Sequence, residues 1–382
     1  MAGIYVHVPF CRQACHYCNF HFSTSLTFKN DFIEALLKEI VLRGEYMRGE
    51  RVDTVYLGGG TPSLLGGGDI RRILDAIRQV FEIDKEAELT LEANPDDING
   101  PALQEWKQAG INRLSIGVQS FFDEDLRWMN RAHGAHQAEA AIRHAQDAGY
   151  ANISIDLIYG NPGLDDARWK KNVEKALSFQ IPHFSCYALT VEPKTPLSKL
   201  ISAKKFQNTD PDQQANQFLL LMDWMEEAGY DHYEISNFSR PGWRSRHNSS
   251  YWQGKSYLGL GPSAHSYNGS SRQWNVSNNR RYIDSLGKNE LLFECEILTP
   301  VQRLNEYIMI SLRTMEGLNL QWVDQAFGKE LGEWLRQRAA NHPHHLKLAQ
   351  NGRDLVLTKE GKLLADGIAA DLFIGEQEHI RL

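Results

Sequence analysis

Short apolar segments alternate with amphipathic ones over the first 240 residues, and this alternation constrains the fold more than any other feature. Six apolar segments fit strands, at 4–8, 52–57, 89–92, 113–118, 153–158 and 183–189. The segments between them carry apolar residues at helical spacing, as in 31–48, 70–80 and 211–227. Strand-then-helix units of this kind build a parallel sheet with helical crossovers. Because eight units close a barrel, six predict an α/β fold with a partial (β/α)6 TIM-like barrel.

The pattern changes after residue 235. Residues 236–298 are rich in Gly, Ser, Asn, Arg and aromatic residues, with few helical signals, and we expect them to connect two domains. Helical spacing returns at 302–315 and 324–339, and Asn351-Gly352 predicts the turn of a hairpin. The expected parts are therefore a barrel at 1–235, a connecting segment at 236–298 and a small C-terminal α+β domain at 299–382.

Composition and charge exclude several classes of protein. With 42% hydrophobic and 23% charged residues, the 382-residue chain has the composition of a soluble globular protein. Its net charge of −7 argues against a nucleic-acid partner, which requires a basic face. The N-terminus lacks the features of a signal peptide, and no apolar run approaches the ~20 residues of a membrane span. We expect a cytoplasmic protein with no transmembrane segment.

Three of the five cysteines lie close together, directly after the first predicted strand. Cys11, Cys15 and Cys18 follow a C-x3-C-x2-C spacing. Three thiolates on one short loop can hold three irons of a [4Fe–4S] cluster, which usually has four cysteine ligands. The missing fourth ligand would leave one iron open to the amine and carboxylate of a substrate.

A zinc site is the alternative interpretation of this loop, because zinc accepts three thiolates and one imidazole. His7, His16 and His21 are nearby in the sequence. The loop by itself leaves both interpretations open. An odd number of cysteines argues against a disulfide framework, and we expect the isolated Cys186 and Cys295 to be small buried apolar residues.

Glycine and polar residues follow four successive predicted strands. They stand in the segments GGGTPS at 58–63, EANP at 92–95, GVQS at 117–120 and DLIYGNP at 156–162. Each segment alone is typical of a turn or a helix cap. Together they lie at the C-terminal ends of the strands, where α/β barrels form their active sites. A zinc site would need none of them, so they favour a cofactor site beside the cysteine loop.

With these motifs the chain resembles the radical SAM superfamily, and within it the HemN-like branch of coproporphyrinogen III dehydrogenases and heme chaperones. The resemblance is carried by YVHVPFC at 5–11, GGGTPS at 58–63, IGVQSF at 116–121 and DLIYG at 156–160. It extends from about residue 3 to residue 267. It implies a [4Fe–4S] cluster on the three cysteines and S-adenosylmethionine (SAM) at the open iron.

The resemblance also implies which residues contact the methionine part of SAM. Gly59, Gly60 and Thr61 would lie against it. Glu92 would bind its amine, and Arg131 would pair with its carboxylate in the bidentate geometry that suits arginine.

Other residues are implied to contact the nucleoside. Gln119 and Asp156 would hold the ribose hydroxyls, Tyr17 would pack beside the adenine, and Tyr5 would lie close to the cluster and SAM. In the superfamily a reduced cluster donates one electron to the SAM sulfonium, which gives methionine and a 5′-deoxyadenosyl radical.

Two features separate the members of this branch. The dehydrogenases carry a fourth cysteine two residues after the third, where this chain has Phe20. His247-Asn248-x-x-Tyr251-Trp252 matches the HNxxYW motif of the heme chaperones. It implies that His247 is a heme ligand with the two aromatic rings against the macrocycle. Residue types alone favour a different interpretation, in which His247 and Asn248 bond to backbone while Tyr251 and Trp252 are packing residues.

We therefore expect a heme-binding chaperone on a radical SAM scaffold. It would deliver heme to acceptor proteins such as membrane respiratory enzymes, in transient association with the membrane. The alternative is an oxygen-independent coproporphyrinogen III oxidase of porphyrin biosynthesis, against which Phe20 argues. The sequence leaves open whether SAM is turned over.

Overall fold

Six parallel strands form the centre of the fold. The structure, a computed structural model, describes residues 2–47, 49–342, 346–348 and 353–375. The central strands are β1 Ala2–Val8, β2 Val52–Gly59, β3 Ile83–Ala93, β4 Arg113–Gln119, β5 Asn152–Tyr159 and β6 His183–Ala188. The helices that accompany them are α1 Lys29–Leu42, α2 Gly67–Val80, α3 Gly100–Ala109, α4 Asp123–Trp128, α5 Ala135–Asp147, α6 Asp166–Ser178, α7 Pro196–Ser202 and α8 Pro211–Glu227. The predicted strand-then-helix order is confirmed.

The apolar core lies between the central sheet and its helices. In β1, Ile4, Val6 and Val8 are buried and belong to this core. Successive side chains of a strand point to opposite faces, so Tyr5 and His7 face the other side of the sheet. The inner face of the barrel is consequently polar, and the cofactor site can be built on it.

Further strands extend the sheet at both edges. They are β7 Asp231–Glu234, β8 Asn237–Ser239, β9 Tyr257–Leu260, β10 His265–Tyr267, β11 Ser271–Asn275 and β12 Phe293–Ile297. Within the described residues the sheet order is β12-β11-β10-β9-β1-β2-β3-β4-β5-β6-β8-β7. The two outer strands are not paired with each other, so the sheet is open, as predicted for a partial barrel. Of these added strands, only β9 joins in parallel, beside β1.

Residues 236–298 are more regular than their composition suggests. Besides strands, they contain α9 Arg246–Trp252 and α10 Asn279–Gly287. Each helix begins at a side-chain cap, because Ser245 accepts from the Asn248 backbone N–H and Asn278 accepts from that of Arg281. The expectation of few helices here was wrong, and the HNxxYW motif forms α9.

The C-terminal part has a second apolar core. Its elements are α11 Pro300–Leu312, β13 Leu318–Asn319, α12 Leu320–Phe327, α13 Lys329–Ala340, β14 Leu346–Leu348, β15 Asp354–Leu357 and α14 Ala365–Asp371. Leu304, Ile308 and Leu312 of α11 are buried in this core. Strands β14 and β15 pair antiparallel, and the predicted turn at Asn351-Gly352 lies outside the described residues. The domain limits at 235 and 298 stay a prediction.

Three details correct or complete the expectations. The first helix, expected at 31–48, ends at Leu42, and Arg48 lies outside the described residues. Cys186 is buried as expected, whereas Cys295 is exposed because it lies on the outermost strand β12, most of whose side chains face solvent. Among the described residues, no helix combines the length and the apolar character needed to cross a membrane.

Candidate functional site

The three clustered cysteines lie on a loop that is closed by backbone hydrogen bonds. Cys11 N donates to Ser23 O at 3.0 Å, and Ser23 N donates to Pro9 O at 2.9 Å. The loop is also bonded to the end of β2, because Thr61 N donates to Phe10 O at 2.7 Å. The first cysteine is therefore fixed directly above the end of the first two strands.

The middle of the loop is bonded to segments that follow β4 and β6. His16 N donates to Met129 O at 3.1 Å, and Leu197 N donates to His16 O at 2.7 Å. The Asn130 side chain donates to Ala14 O at 2.7 Å. The cysteine loop thus spans the mouth of the barrel and touches the residues predicted to bind SAM.

The chemistry of the thiols fits an iron–sulfur cluster. Burial raises the pKa of Cys11 to about 11, and burial likewise raises the pKa of Cys18. Arg131 Nη1 lies 3.4 Å from Cys15 Sγ and supplies one positive charge. Thiolates at a buried site need a positively charged centre, and three thiolates on one loop are the ligands expected of a cluster with an open iron.

The zinc interpretation is not supported by the geometry. Both ring nitrogens of His7 are engaged, with the Tyr5 hydroxyl at 3.2 Å and the His21 carbonyl at 2.8 Å. His21 Nε2 lies 2.6 Å from Asn279 Oδ1, and His16 Nδ1 lies 2.8 Å from a backbone carbonyl. Among the described residues, no group of three or more His, Cys, Asp or Glu side chains is arranged to hold a metal ion, which applies to the three cysteines as much as to a zinc site. The bonded histidine nitrogens are therefore what argues against zinc.

The glycines after β2 allow the cysteine loop to approach the strand. Gly59 has a φ of +106°, and a Cβ there would lie 2.5 Å from the His7 ring. A Cβ on Gly60 would lie 2.6 Å from Phe10 O. Packing of the protein itself therefore requires both glycines. Their predicted contact with SAM, like that of Thr61, stays a prediction.

Glu92 lies at the end of β3 and faces the inner side of the barrel. Its carboxylate accepts from the Tyr56 hydroxyl at 2.8 Å and from Gly59 N at 3.1 Å. Burial raises the pKa of Glu92 to about 7, and the charge of Asp156 adds to this effect. A carboxyl group in this state would be stabilised as a carboxylate by hydrogen bonds from the N–H groups of an approaching amine, which fits the predicted amine contact.

Arg131 is held at the end of β4. Its Nη2 donates to Asn94 Oδ1 at 2.7 Å and to Gly117 O at 2.9 Å. Its Nε is buried without a hydrogen-bond partner within the described part of the chain. Gln119 is buried beside Arg131. Both side chains lie against Gly117, because a Cβ added there would be 3.1 Å from Gln119 Nε2 and 3.2 Å from Arg131 Nη2. The unpaired N–H leaves Arg131 able to bind a carboxylate.

The remaining predicted nucleoside contacts lie around the same mouth. Asp156 accepts from Ser115 Oγ at 3.5 Å, and burial raises its pKa to about 6. Tyr17 packs against a small apolar cluster, and burial raises the pKa of its hydroxyl group, an effect that the neighbouring Arg131 opposes. These apolar side chains are Met129, Ile158, Leu189 and Leu197. The contacts of these residues with SAM stay predictions.

Sequence reasoning missed several residues of the inner face. Tyr56, Asn94 and Ser115 contact Glu92, Arg131 and Asp156 respectively. Asn94 directly follows β3, whereas Tyr56 and Ser115 lie within β2 and β4, and the neighbours of Tyr56 in β2 are buried apolar residues. The period of two along the strands could have identified Tyr56 and Ser115, because alternate residues share the inner face.

His247 of the HNxxYW motif is buried beneath the barrel. Its Nδ1 lies 2.8 Å from Thr54 Oγ1, and its Nε2 lies 2.9 Å from the Tyr251 hydroxyl. The ring stacks on Tyr56 with centroids 5.0 Å apart, and Tyr56 in turn lies 6.1 Å from Tyr5. Burial lowers the pKa of His247 to about 3. Both nitrogens are bonded in this conformation, and the role of His247 as a heme ligand stays a prediction.

The other end of the motif opens into a large cleft. Tyr251 and Trp252 line a cavity of about 1480 Å³ bounded by α9, the strands β9–β11 and helices α11 and α12. Further aromatic residues line it, namely Tyr233, Tyr257, Tyr267, Tyr307, Trp322, Phe327 and Phe373. Within the described residues the lining contains neither His nor Cys, so Tyr and Met309 are the residue types there that can bind heme iron.

Two family models match the chain. The radical SAM superfamily matches residues 5–176, and the HemN C-terminal domain matches residues 298–364. The first match covers the cysteine loop and strands β2–β5. The second covers much of the C-terminal core.

Comparisons with whole proteins extend over almost the full length. The chain is 32% identical over 381 residues to the heme chaperone HemW of Bacillus subtilis, with 98% of this chain and 100% of that protein covered. It is 35% identical over 375 residues to HemW of Mycobacterium tuberculosis, with 97% and 94% covered.

A solved structure shows the same fold. Coproporphyrinogen III oxidase (HemN) from Escherichia coli superposes with a TM-score of 0.83 at 22% identity, over 97% of this chain and 90% of that one. The cysteine loop, the polar barrel mouth and the full-length similarity agree. The chain belongs to the HemW family of the radical SAM superfamily.

Proposed function

We propose that this protein binds heme and passes it to acceptor proteins, on a scaffold that also holds a [4Fe–4S] cluster and SAM. The observation that carries the proposal is that Tyr251 and Trp252 of the HNxxYW motif line an aromatic cleft of about 1480 Å³. A heme is large, flat and mostly apolar, which such a cleft suits. The relatives named heme chaperone HemW support the same function.

The residues of the barrel mouth would hold the two cofactors. Cys11, Cys15 and Cys18 would ligate the cluster, while Glu92 and Arg131 would bind the amine and carboxylate of SAM. When bound, the pair supplies one-electron cleavage of a sulfonium, which yields a carbon radical. The chain itself orients the ligand and excludes water, since the cysteine loop lies across the end of β2.

The acceptors would be heme proteins such as membrane respiratory enzymes. A chaperone of this kind needs only a transient contact with a membrane-bound acceptor. We place its working location in the cytoplasm, at the membrane surface when heme is transferred.

The second candidate is the oxidative decarboxylation of coproporphyrinogen III. The shared fold does not favour it, because a likeness at 22% identity extends to architecture alone. Phe20 occupies the position of the fourth cysteine of the dehydrogenases, and its side chain is 65% exposed. A phenyl ring on the surface supplies neither a thiol nor a thiolate.

An anaerobic comparison tests the two functions on one preparation. Protein reconstituted with iron, sulfide and SAM is titrated with heme and, in parallel, incubated with coproporphyrinogen III and a reductant. We expect a saturable shift of the Soret band and no protoporphyrinogen IX. Decarboxylation without measurable heme affinity would establish the enzyme instead.

A further inference from the structure

The cleft lined by Tyr251 and Trp252 carries both signs of charge, with Glu306, Glu316 and Asp354 as its acidic residues. Four basic residues line it, namely Arg244, Lys255, Arg272 and Arg303. Two of them are neutralised by neighbours. Arg244 pairs with Glu316 at 2.6 Å, and Arg272 pairs with Glu306 at 2.6 Å. Lys255 and Arg303 have no such neighbour among the described residues.

Lys255 and Arg303 make no side-chain hydrogen bond and no ion pair within the described part of the chain. Lys255 follows α9 by three residues, and Arg303 lies in the first turns of α11. The two cations therefore belong to different walls of the cleft, one beside the HNxxYW motif and one on the C-terminal helix. A ligand with two separated negative charges could pair with both.

Unpaired polar atoms in the same cleft point to a ligand independently. Trp252 Nε1 and Ser249 Oγ are buried and have no hydrogen-bond partner within the described residues, and both residues line the cleft. Buried polar groups are nearly always bonded, because an unmade bond is costly. A ligand would reach these two atoms only after a small shift of the cleft wall, because neither atom is exposed.

We propose that the cleft binds a planar tetrapyrrole by two carboxylates, with Lys255 and Arg303 holding the two propionates of heme. This rests on the proposed function and specifies its binding site. The aromatic rings of Tyr251 and Trp252 lie against the macrocycle, which buries its apolar faces. Two unpaired cations match a dianion such as heme, whereas coproporphyrinogen III carries four carboxylates and has a flexible, non-planar ring.

The test compares heme with its dimethyl ester, in which both carboxylates are blocked. The double variant Lys255→Gln/Arg303→Gln is titrated with each ligand by Soret absorbance, alongside the parent protein. A matched control, Arg281→Gln/Lys288→Gln, removes the same two charges from exposed positions, one on α10 and one directly after it. Circular dichroism and SAM binding of all three proteins report whether the fold is intact.

We expect the double variant to bind heme at least tenfold more weakly than the parent, because charge-assisted bonds to carboxylates are lost. Its affinity for the dimethyl ester should equal that of the parent, and the control should bind both ligands as the parent does. Equal heme affinity of variant and parent, or equal losses for heme and ester, would overturn the assignment of the carboxylate anchors. A parent protein that binds no heme would instead overturn the proposed function.

Discussion

Single residues of the barrel mouth determine at which pH the site can bind SAM. Burial raises the pKa of Glu92 to about 7 and that of Asp156 to about 6. Both lie on the inner face, where Tyr56 and Ser115 donate hydrogen bonds to them. Near neutral pH the unliganded Glu92 is therefore partly protonated, and its ionised form is the better acceptor for the N–H groups of an amine.

SAM affinity should consequently depend on pH. Below pH 7 Glu92 must release a proton when SAM binds. The dissociation constant for SAM should therefore fall by up to about tenfold for each unit by which the pH rises toward 7. Above pH 7 the carboxylate is already formed and the affinity should become constant. Isothermal titration of reconstituted protein between pH 6 and pH 8 measures this.

Glu92→Gln is the matched control, because its amide does not ionise. It should bind SAM more weakly, with an affinity that is independent of pH over the same range. A parent protein whose SAM affinity is flat from pH 6 to pH 8 would contradict the role given to Glu92.

His247 is the residue for which the motif and the structure indicate different roles. The HNxxYW motif predicts a heme ligand, whereas the ring is bonded on both sides, to Thr54 and Tyr251. We interpret it as a positioning residue that fixes the Tyr251 ring at the cleft. A sequence motif gives the residue type and spacing, but the bonds of a buried ring depend on partners almost 200 positions away in the chain.

His247→Phe tests this interpretation while keeping an aromatic ring. The buried Thr54 and Tyr251 hydroxyls lose a partner, so the free energy of unfolding should fall by about 1–3 kcal/mol. Heme binding should weaken several-fold because Tyr251 is less well fixed. The Soret maximum of the complex should stay unchanged; a shifted maximum in this variant, but not in Tyr251→Phe, would show that His247 ligates iron.

Helix α9 is an element anchored by a buried acid. Glu88 of β3 accepts from the backbone N–H groups of Arg246 and His247 at 3.1 and 3.0 Å. Its carboxylate also lies 3.9 Å from Arg113 Nε, and both side chains are buried. One carboxylate thus caps the N-terminus of α9, where negative charge is favourable, and neutralises a buried arginine.

Glu88→Ala should be strongly destabilising. It leaves Arg113 as an uncompensated buried charge, which typically costs about 3–5 kcal/mol. Urea unfolding followed by circular dichroism gives the change. The exposed neighbour Glu86→Ala serves as the control and should change stability by less than about 0.5 kcal/mol.

The cysteine loop is the element that distinguishes the cluster from a zinc site. Replacing Cys11, Cys15 and Cys18 together by Ala should abolish the iron–sulfur absorbance of anaerobically reconstituted protein, which otherwise should hold about four irons per chain. Cys186→Ala and Cys295→Ala should leave the iron content unchanged. Stoichiometric zinc with no iron–sulfur absorbance in the parent would contradict the cluster.

Strands and helices that pack against sequence neighbours were predicted well. Those whose partners are distant in the sequence were not. The strands β1–β6 follow one another with helices between them, so the sequence pattern alone predicts them. Strand β9 has only four residues and pairs with β1, about 250 positions earlier. No local pattern reveals a partner so distant, and the Gly- and Ser-rich composition of its segment is typical of loops.

At the scale of the whole molecule, two separate apolar cores are arranged beside one cleft. One core lies under the central sheet and the other under α11. The walls of the cleft come from residues 233–272 and 302–373. The sequence predicted heme at the HNxxYW motif but not the cleft beside that motif, because the walls of the cleft meet only after both parts have folded.

The position of His247 between barrel and cleft has a thermodynamic consequence. Its ring contacts Tyr56 on the barrel side and Tyr251 on the cleft side, so we expect a displacement of one tyrosine to shift the other. Occupancy of the two sites is then linked, and linkage is reciprocal: if SAM changes the dissociation constant for heme by some factor, heme must change that for SAM by the same factor. Two titrations measure this factor, which should differ from one in the parent protein and approach one in His247→Ala. A heme carrier of this kind would bind heme more tightly or more weakly according to whether SAM is bound at a separate site.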